Sequence, residues 1–307
     1  MKIEKIAKTK QEVVFEAGQQ KEVKEGRFLL HCGKLTKSCD LIKTEMIVDA
    51  FTGAGIIQGK EIKYKVTDIE AVTKAKSGLW VHCQKLIVRM QHEITKRDQT
   101  QISIPIKDFA QKCDVDLQNS SAVKEFQRNM MQALRVLFKL EIGSFQDWQD
   151  GKERLVSVAH AIRRISQRTR GFLSFEIEEE FKNYVKKLPI KSFPESFYKI
   201  SGKNPNALCI AMKLADYNGG NNNKISIQNL LKETTLPLLL DVKENKNLRW
   251  TIKIRNPFNK ALDELTNIKL LKTYYFVTQN GDKRTREEAN AMTAEQWHSL
   301  YFVYELA

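Results

Sequence analysis

Apolar residues recur at helical spacing between Ile252 and Leu271, where the chain reads IKIRNPFNKALDELTNIKLL. Positions three and four residues apart share one face of a helix, so four side chains are expected to face a core: Phe258, Ala261, Leu262 and Leu265. The other flank, together with the residues leading into it, carries donors for phosphates or base edges, namely Arg249, Lys253, Arg255, Asn256, Asn259 and Lys260. The pattern predicts a basic amphipathic helix, called the C-terminal basic helix below.

A β-hairpin is predicted directly after this helix. Ile268 to Val277 is rich in β-branched and aromatic residues, which favours a strand. Asn280-Gly281 is a strong signal for a tight turn. A basic helix that leads into a hairpin is typical of the winged helix-turn-helix, in which the helix enters the major groove of DNA and the hairpin contacts the backbone or the minor groove.

The N-terminal basic helix is predicted from Ala122 to Phe138, with Ser120-Ser121 as its candidate cap. Its apolar stripe is Val123, Phe126, Met130, Leu134 and Leu137. Its exposed face is expected to present Lys124, Arg128, Gln132 and Arg135. For both basic helices, DNA contact and a merely solvated charged face are the two interpretations of this pattern.

The order of elements repeats along the chain. A helix from Ser77-Gly78, a strand at Gln101 to Ile104 and a short helix from Pro105 to Cys113 precede the N-terminal basic helix. A helix from Asn206 to Tyr217, then a short strand and a short helix, precede the C-terminal one. The sequence therefore predicts the α+β class, with two tandem winged helix-turn-helix domains at 78–190 and 191–307 and an N-terminal α/β extension at 1–77.

A cluster of arginines lies between the two predicted units: Arg163, Arg164, Arg168 and Arg170. It is flanked by strand candidates at Val158 to Ile162 and Gly171 to Phe175. Two strands with a basic tip would make a wing, and arginine suits both phosphates and narrow minor grooves. The acidic run that follows, Glu176 to Glu180, is expected to start a connecting helix that continues through Lys187.

Charge narrows the choice of partner. The chain of 307 residues has a formal net charge of +14, which favours a polyanion such as DNA, RNA or an anionic membrane surface, although a generally lysine-rich surface would give the same excess. Apolar runs are too short to span a bilayer and the lysine-rich start is not followed by an apolar core, so we expect a cytoplasmic protein without membrane contact. The paired strand aromatics of an RNA-recognition sheet are missing.

Signatures of catalysis are also missing. The five cysteines are scattered and never spaced as Cys-x-x-Cys, and no histidine has another two residues away, as the metal motif of a rolling-circle initiator requires. His31-Cys32 and His82-Cys83 are expected to be buried structural pairs, not zinc ligands. We therefore expect no catalytic residues, no metal and no cofactor. A metal-dependent nuclease using Asp114 and Asp116 is the enzymatic alternative.

The region between the units resembles a known family. Phe172-Leu173-Ser174-Phe175-Glu176-Ile177, the segment Phe181 to Leu188 and the run Asn206 to Leu214 are similar to the linker of plasmid replication initiators of the iteron-binding, tandem winged-helix class. The run Trp297 to Leu306 is similar to the closing strand of related initiators on mobile elements. The resemblance covers roughly residues 78–307.

The resemblance implies a non-enzymatic initiator of theta-type replication. Such proteins bind repeated origin sites on double-stranded DNA, help to open an adjacent AT-rich tract and attract the host replicative helicase. It also implies a homodimer, formed through the first winged helix, that represses its own promoter. A winged-helix transcription regulator without a replication role is the alternative, because both classes read DNA with the same groove contacts.

Overall fold

The computed structural model describes residues 13–16, 19–22, 26–31, 46–48, 55–58, 62–66, 77–149, 152–160, 162–166, 171–217, 223–238 and 249–307. Helices and sheets alternate along these segments, which is compatible with the predicted α+β class. The strands before the first helix are β1 (Val13–Glu16), β2 (Gln19–Glu22), β3 (Arg27–His31), β4 (Met46–Val48), β5 (Gly55–Gln58) and β6 (Ile62–Val66). Among the described residues, no helix is both long enough and apolar enough to cross a bilayer.

The first unit begins at Ser77, where the helical pattern predicts it. Its elements are α1 (Ser77–Arg97), β7 (Gln101–Pro105), α2 (Ile106–Lys112), α3 (Ser120–Phe138), β8 (Leu140–Gln149), β9 (Lys152–His160), β10 (Ile162–Ser166) and β11 (Phe172–Ile177). The short strand β7 pairs with β11, and β11 pairs with β10, so the sheet has the order β10-β11-β7. Buried Phe126, Met130 and Leu134 confirm the apolar stripe predicted for α3.

The helix of the connecting segment is shorter than predicted, and the segment also contains a strand and a 3-10 turn. It contains α4 (Glu179–Lys186), β12 (Ile190–Pro194) and a 3-10 turn at Glu195–Lys199. Glu176, expected at the start of the connecting helix, lies instead in β11, opposite Gln101. The N-cap position of the helix is Glu178. The acidic side chains of the first turn therefore lie at the positive end of the helix dipole, which is favourable.

The second unit repeats the order of the first. Its elements are α5 (Pro205–Tyr217), β13 (Lys224–Ser226), α6 (Ile227–Leu231), a π-helical turn at Thr251–Arg255, α7 (Asn256–Asn267), β14 (Leu271–Val277), β15 (Lys283–Arg284), α8 (Arg286–Asn290), α9 (Ala294–His298) and β16 (Tyr301–Leu306). The sheet order is β13-β16-β14-β15. The predicted turn at Asn280-Gly281 joins β14 to β15, with Gly281 at φ +95°. Thr293 and Gln296 form a capping box at the start of α9.

The strands of the N-terminal segment pair with strands of the rest of the chain. β4, β5 and β6 continue into β8 and β9 as one five-stranded sheet. Strand β3 pairs with β12, and Arg27 there donates from Nε to Ser192 Oγ at 2.9 Å and from Nη1 to the carbonyl oxygen of Ala307 at 2.7 Å. The first part of the strand candidate at Val158 to Ile162 therefore belongs, through β9, to a sheet shared with the N-terminal segment and not to the wing of the first unit.

One continuous hydrophobic core joins the two units. It runs from Phe28 and the inner face of α1 through Tyr198 to the inner faces of α5, α7 and β16. Phe258, Ala261, Leu262 and Leu265, the stripe predicted for the C-terminal basic helix, all have side chains with no solvent exposure. Phe258 packs edge-on against Trp297 at 5.4 Å and against Phe302 at 6.4 Å between ring centroids, which fixes α7 on the second sheet.

Candidate nucleic-acid interface

The N-terminal basic helix is α3, and its polar face is exposed as predicted. Asn119, not Ser120-Ser121, caps it, because its side-chain oxygen accepts hydrogen bonds from the backbone N–H groups of Ser121 and Ala122, each at 3.1 Å. Four predicted site residues lie on the solvent side: Lys124, Arg128, Gln132 and Arg135. Arg128 is 3.9 Å from Glu125, a loose pair between two exposed side chains that contributes little.

A π-helical turn opens the C-terminal basic helix. Helical hydrogen bonding begins at Arg249, whose carbonyl accepts from the N–H of Lys253 at 2.9 Å, and the N–H of Asn256 then bonds to Thr251, five residues back. Pro257 explains the irregularity, because it has no N–H to donate to the carbonyl of Lys253 and its ring would clash with that carbonyl. The wider turn relieves the clash and lets the helix continue to Asn267.

Four of the six predicted site residues on this helix and its lead-in reach solvent. Arg249, Lys253, Asn256 and Lys260 are exposed. Within the described part of the chain, no hydrogen bond or ion pair holds the side chains of Lys253, Asn256 or Lys260. These groups are therefore available to an external acceptor, and together with Arg249 they form one polar stripe on the helix.

Two residues predicted on that stripe lie elsewhere. Arg255 is half-buried: its guanidinium lies 5.0 Å from the ring of Trp250 and donates to the carbonyl oxygen of Asn290. Asn259 is only 8% exposed, and its Nδ2 donates to Asn290 Oδ1 at 3.0 Å. The prediction that both face outward is wrong, because α8 packs over that side of the helix and converts it from a surface into an interface.

The wing of the first unit differs in detail from its prediction. The hairpin exists as β10 and β11, but Arg163 and Arg164 lie within strand β10, not at the tip, and Val158 belongs to β9. Both arginines are exposed, and Arg163 Nη1 is 3.6 Å from Glu176 Oε1. The acidic partner reduces the local positive charge that the sequence alone suggests. Arg168 and Arg170 lie outside the described residues.

A groove that the sequence does not predict lies beside the C-terminal basic helix. Its volume is about 390 Å³, and its lining is Lys203, Asn204, Pro205, Asn206, Ile252, Asn256, Pro257 and Lys260. We call it the Lys203–Lys260 groove. One wall is the N-terminal end of α5, where Asn204 Oδ1 accepts from the N–H of Ala207 at 3.3 Å, and the other wall is the basic helix. Two lysines and a helix N-terminus give the groove a positive potential.

Contacts at the junction of the two units hold in place the groove wall that precedes and begins α5. The ammonium of Lys85, on α1, is buried and donates to the carbonyl oxygens of Tyr198 at 2.6 Å and Ile200 at 2.5 Å, which stabilises the end of the 3-10 turn. Burial lowers the pKa of this lysine. From the second unit, a carboxylate oxygen of Glu264 accepts from the N–H of Ser201. The segment between Tyr198 and Asn204 is therefore fixed from both sides.

Cys83 is buried as predicted, whereas His82 is only partly buried and its Nδ1 has no hydrogen-bond partner among the described residues. Cys83 is buried and its thiol donates to the carbonyl oxygen of Ala133 at 3.7 Å, and burial raises its pKa. Burial, with a smaller contribution from Lys85, lowers the pKa of His82 to about 4. His31-Cys32 lies outside the residues whose side chains are described. Within the described ranges, no group of three or more His, Cys, Asp or Glu side chains could hold a metal ion.

Comparison with known proteins gives only distant similarities. No protein-family model matches the chain, and no curated protein sequence matches it. A crystal structure of domains 2 and 3 of RctB, from selenomethionine derivatives, is similar with a TM-score of 0.43 and 9% identity over 88% of this chain and 98% of that one. A second crystal structure, of RctB domains 2-3, gives a TM-score of 0.40 and 9% identity over 86% and 92%. Similarity at this level carries no inference about function.

Proposed function

We propose that the protein is a sequence-specific double-stranded DNA-binding protein that initiates replication of a plasmid or mobile element. In this proposal α3 and the C-terminal basic helix are the recognition helices of two tandem winged helix-turn-helix units. Each inserts its exposed polar stripe into the major groove of the origin DNA. The protein breaks no covalent bond and needs no cofactor.

The main support for DNA binding is the order in which the strands of each unit pair. In a winged helix, a short strand after the first helix pairs with the second strand of the wing, which gives a sheet of three strands beside the recognition helix. The first unit has this order, because β7 pairs with β11 of the β10-β11 hairpin. In the second unit β13 pairs with β16 and β16 pairs with β14, so β16 takes the place of the second wing strand and β15 is an additional edge strand. In both units the last helix before the first wing strand, α3 before β10 and α7 before β14, presents the basic stripe.

The side chains on the two stripes suit base reading. Arginine and lysine pair with guanine, and asparagine and glutamine pair with adenine, through atoms displayed in the major groove. The N-terminal stripe offers Arg128 and Gln132, and the C-terminal stripe offers Lys253, Asn256 and Lys260, all exposed. The net charge of +14 supplies the general attraction to phosphates.

The replication role is supported by the resemblance of the linker and closing strand to iteron-binding initiators. Binding to several tandem copies of one site, next to an AT-rich tract, distinguishes this role from that of a transcription regulator. Footprinting on the DNA that flanks the gene tests it: we expect protection of a series of direct repeats. A single operator over a promoter, with no repeats, would favour the regulator.

Asn256→Ala tests sequence reading directly. We expect the variant to lose about 1–3 kcal/mol of binding free energy at the selected site and almost none on random-sequence duplex, because the lost contact is to a base and not to phosphate. Fluorescence anisotropy titrations with both duplexes measure the difference. Asn267→Ala, an exposed asparagine at the far end of the same helix, is the matched control and should behave as wild type.

Equal losses on both duplexes would show that Asn256 contacts only the backbone. Wild-type affinity for both would remove the C-terminal stripe from the proposal.

A further inference from the structure

Ile252 is an exposed apolar residue inside a polar stretch of the C-terminal basic helix. Among the described residues, Ile252 is the most exposed large apolar side chain, at 53%. It lies on the same helix as exposed Lys253 and Asn256, whereas Ile254, two residues on, is 1% exposed and belongs to the core. Packing therefore explains Ile254 and does not explain Ile252.

Ile252 lies in the π turn and lines the groove. Asn256, four residues further along, is on the same side of the helix and lines the groove with it, together with Pro257 and Lys260. Lys203 and the N-terminal end of α5 form the opposite wall. An apolar contact surface thus lies beside an amide and between two cations.

The chemistry of the groove favours DNA as the occupant. An apolar protein partner would need a larger continuous patch than one isoleucine surrounded by lysines. In the major groove, the C5-methyl of thymine is an apolar group displayed among polar base edges, and phosphates flank it on both sides. One isolated apolar side chain among cations and an amide matches that arrangement.

We propose that Ile252 contacts the C5-methyl group of a thymine in the target site and so makes the protein select thymine at one position. This inference rests on the proposed function, because it requires the C-terminal basic helix to lie in the major groove. Lys203 and Lys260 then lie where they can contact phosphates on either side of that base.

Replacement of single thymines by uracil tests the contact, because uracil lacks the methyl group and keeps the same base pairing. A duplex site is first selected from random sequence by the wild-type protein, and each thymine is then changed in turn. We expect one position at which uracil weakens wild-type binding by roughly three- to fivefold, the effect of one buried methyl group. Ile252→Ala should bind the unmodified site that much more weakly and should not respond to uracil at that position.

Two further variants serve as controls for the contact between Ile252 and the methyl group. Ile252→Val, which keeps most of the apolar surface, should retain sensitivity to uracil. Leu117→Ala removes another exposed apolar residue, 39% exposed before α3, and should respond to uracil as wild type does.

The outcomes separate this inference from the proposed function. Tight binding of the selected duplex with no uracil effect at any thymine overturns the role of Ile252 and leaves DNA binding intact. Uracil sensitivity that survives in Ile252→Ala also overturns it, because another residue then reads the methyl group. Failure to select any duplex overturns the proposed function and this inference with it.

Discussion

His82 lies beside the close approach of Gly78 and Gly202. Its Nε2 lies 3.5 Å from where a Cβ on Gly202 would be, and a Cβ on Gly78 would come within 3.2 Å of the carbonyl oxygen of Gly202. Nδ1 is buried and has no hydrogen-bond partner among the described residues. The close approach favours glycine at position 78, whereas a Cβ at position 202 would make only ordinary van der Waals contacts, and the surrounding burial favours the neutral imidazole.

Stability should therefore fall at acidic pH through this residue. The folded-state pKa of His82 is lowered to about 4 from an ordinary value of 6.5, so the unfolded chain binds the proton first as the pH falls. The stabilisation is complete above about pH 6.5 and is lost as the pH approaches 4, at up to about 1.4 kcal/mol per pH unit. Urea unfolding of wild type and His82→Gln across this range measures it, and the wild-type advantage should shrink with acidity. A constant difference between the two proteins would contradict the assignment.

Prediction at the residue scale succeeds for side chains whose environment is set by their own helix. The exposure of Lys124, Arg128 and Arg135 follows from helical spacing alone. It fails for Arg255 and Asn259, because the residue that covers them, Asn290, lies in α8, later in the chain. Periodicity identifies the face that meets the main core and cannot identify a second face that another element covers.

At the scale of elements, the C-terminal basic helix is distinguished by the π turn at its start. Asn256-Pro257 is its sequence signal, since a proline inside a helical pattern must break, kink or widen the helix. The sequence predicts the helix and its apolar face. It does not predict which of these three responses the helix takes, because that depends on the packing of Trp250 and Ile254 on either side of the turn.

Pro257→Ala should alter DNA selectivity. The variant regains a backbone N–H, which removes the reason for the wide turn and lets Ile252 and Lys253 rotate relative to the rest of the helix. We expect affinity for the selected site to fall roughly tenfold, the size of one lost base contact, with little change on random duplex. Competition binding measures both affinities. Pro237→Ala, in the described loop after α6, serves as the control, and a Pro257→Ala variant as selective as wild type would show that the turn does not shape the interface.

At the scale of the molecule, the two basic helices belong to one packed body. The core is continuous, Lys85 links α1 to the 3-10 turn, and β3 ties the N-terminal segment to β12. The repeated order of helices and short strands is readable from hydrophobic spacing. The pairing of β4 to β6 with β8 and β9 cannot be predicted in this way. It joins strands that are separated in the sequence by α1, β7, α2 and α3, so it leaves no local signal. For this reason the sequence places the wing of the first unit correctly only in part.

The central claim is that both basic helices lie in the major groove of one duplex. Protection of guanine N7 from methylation reports major-groove contact directly, because this atom is displayed there. On a selected site we predict two separate protected segments: Lys124→Ala/Arg128→Ala/Arg135→Ala should abolish one and leave the other, and Lys253→Ala/Asn256→Ala/Lys260→Ala should do the reverse. A single protected segment, or a pattern that neither variant changes, would contradict the claim.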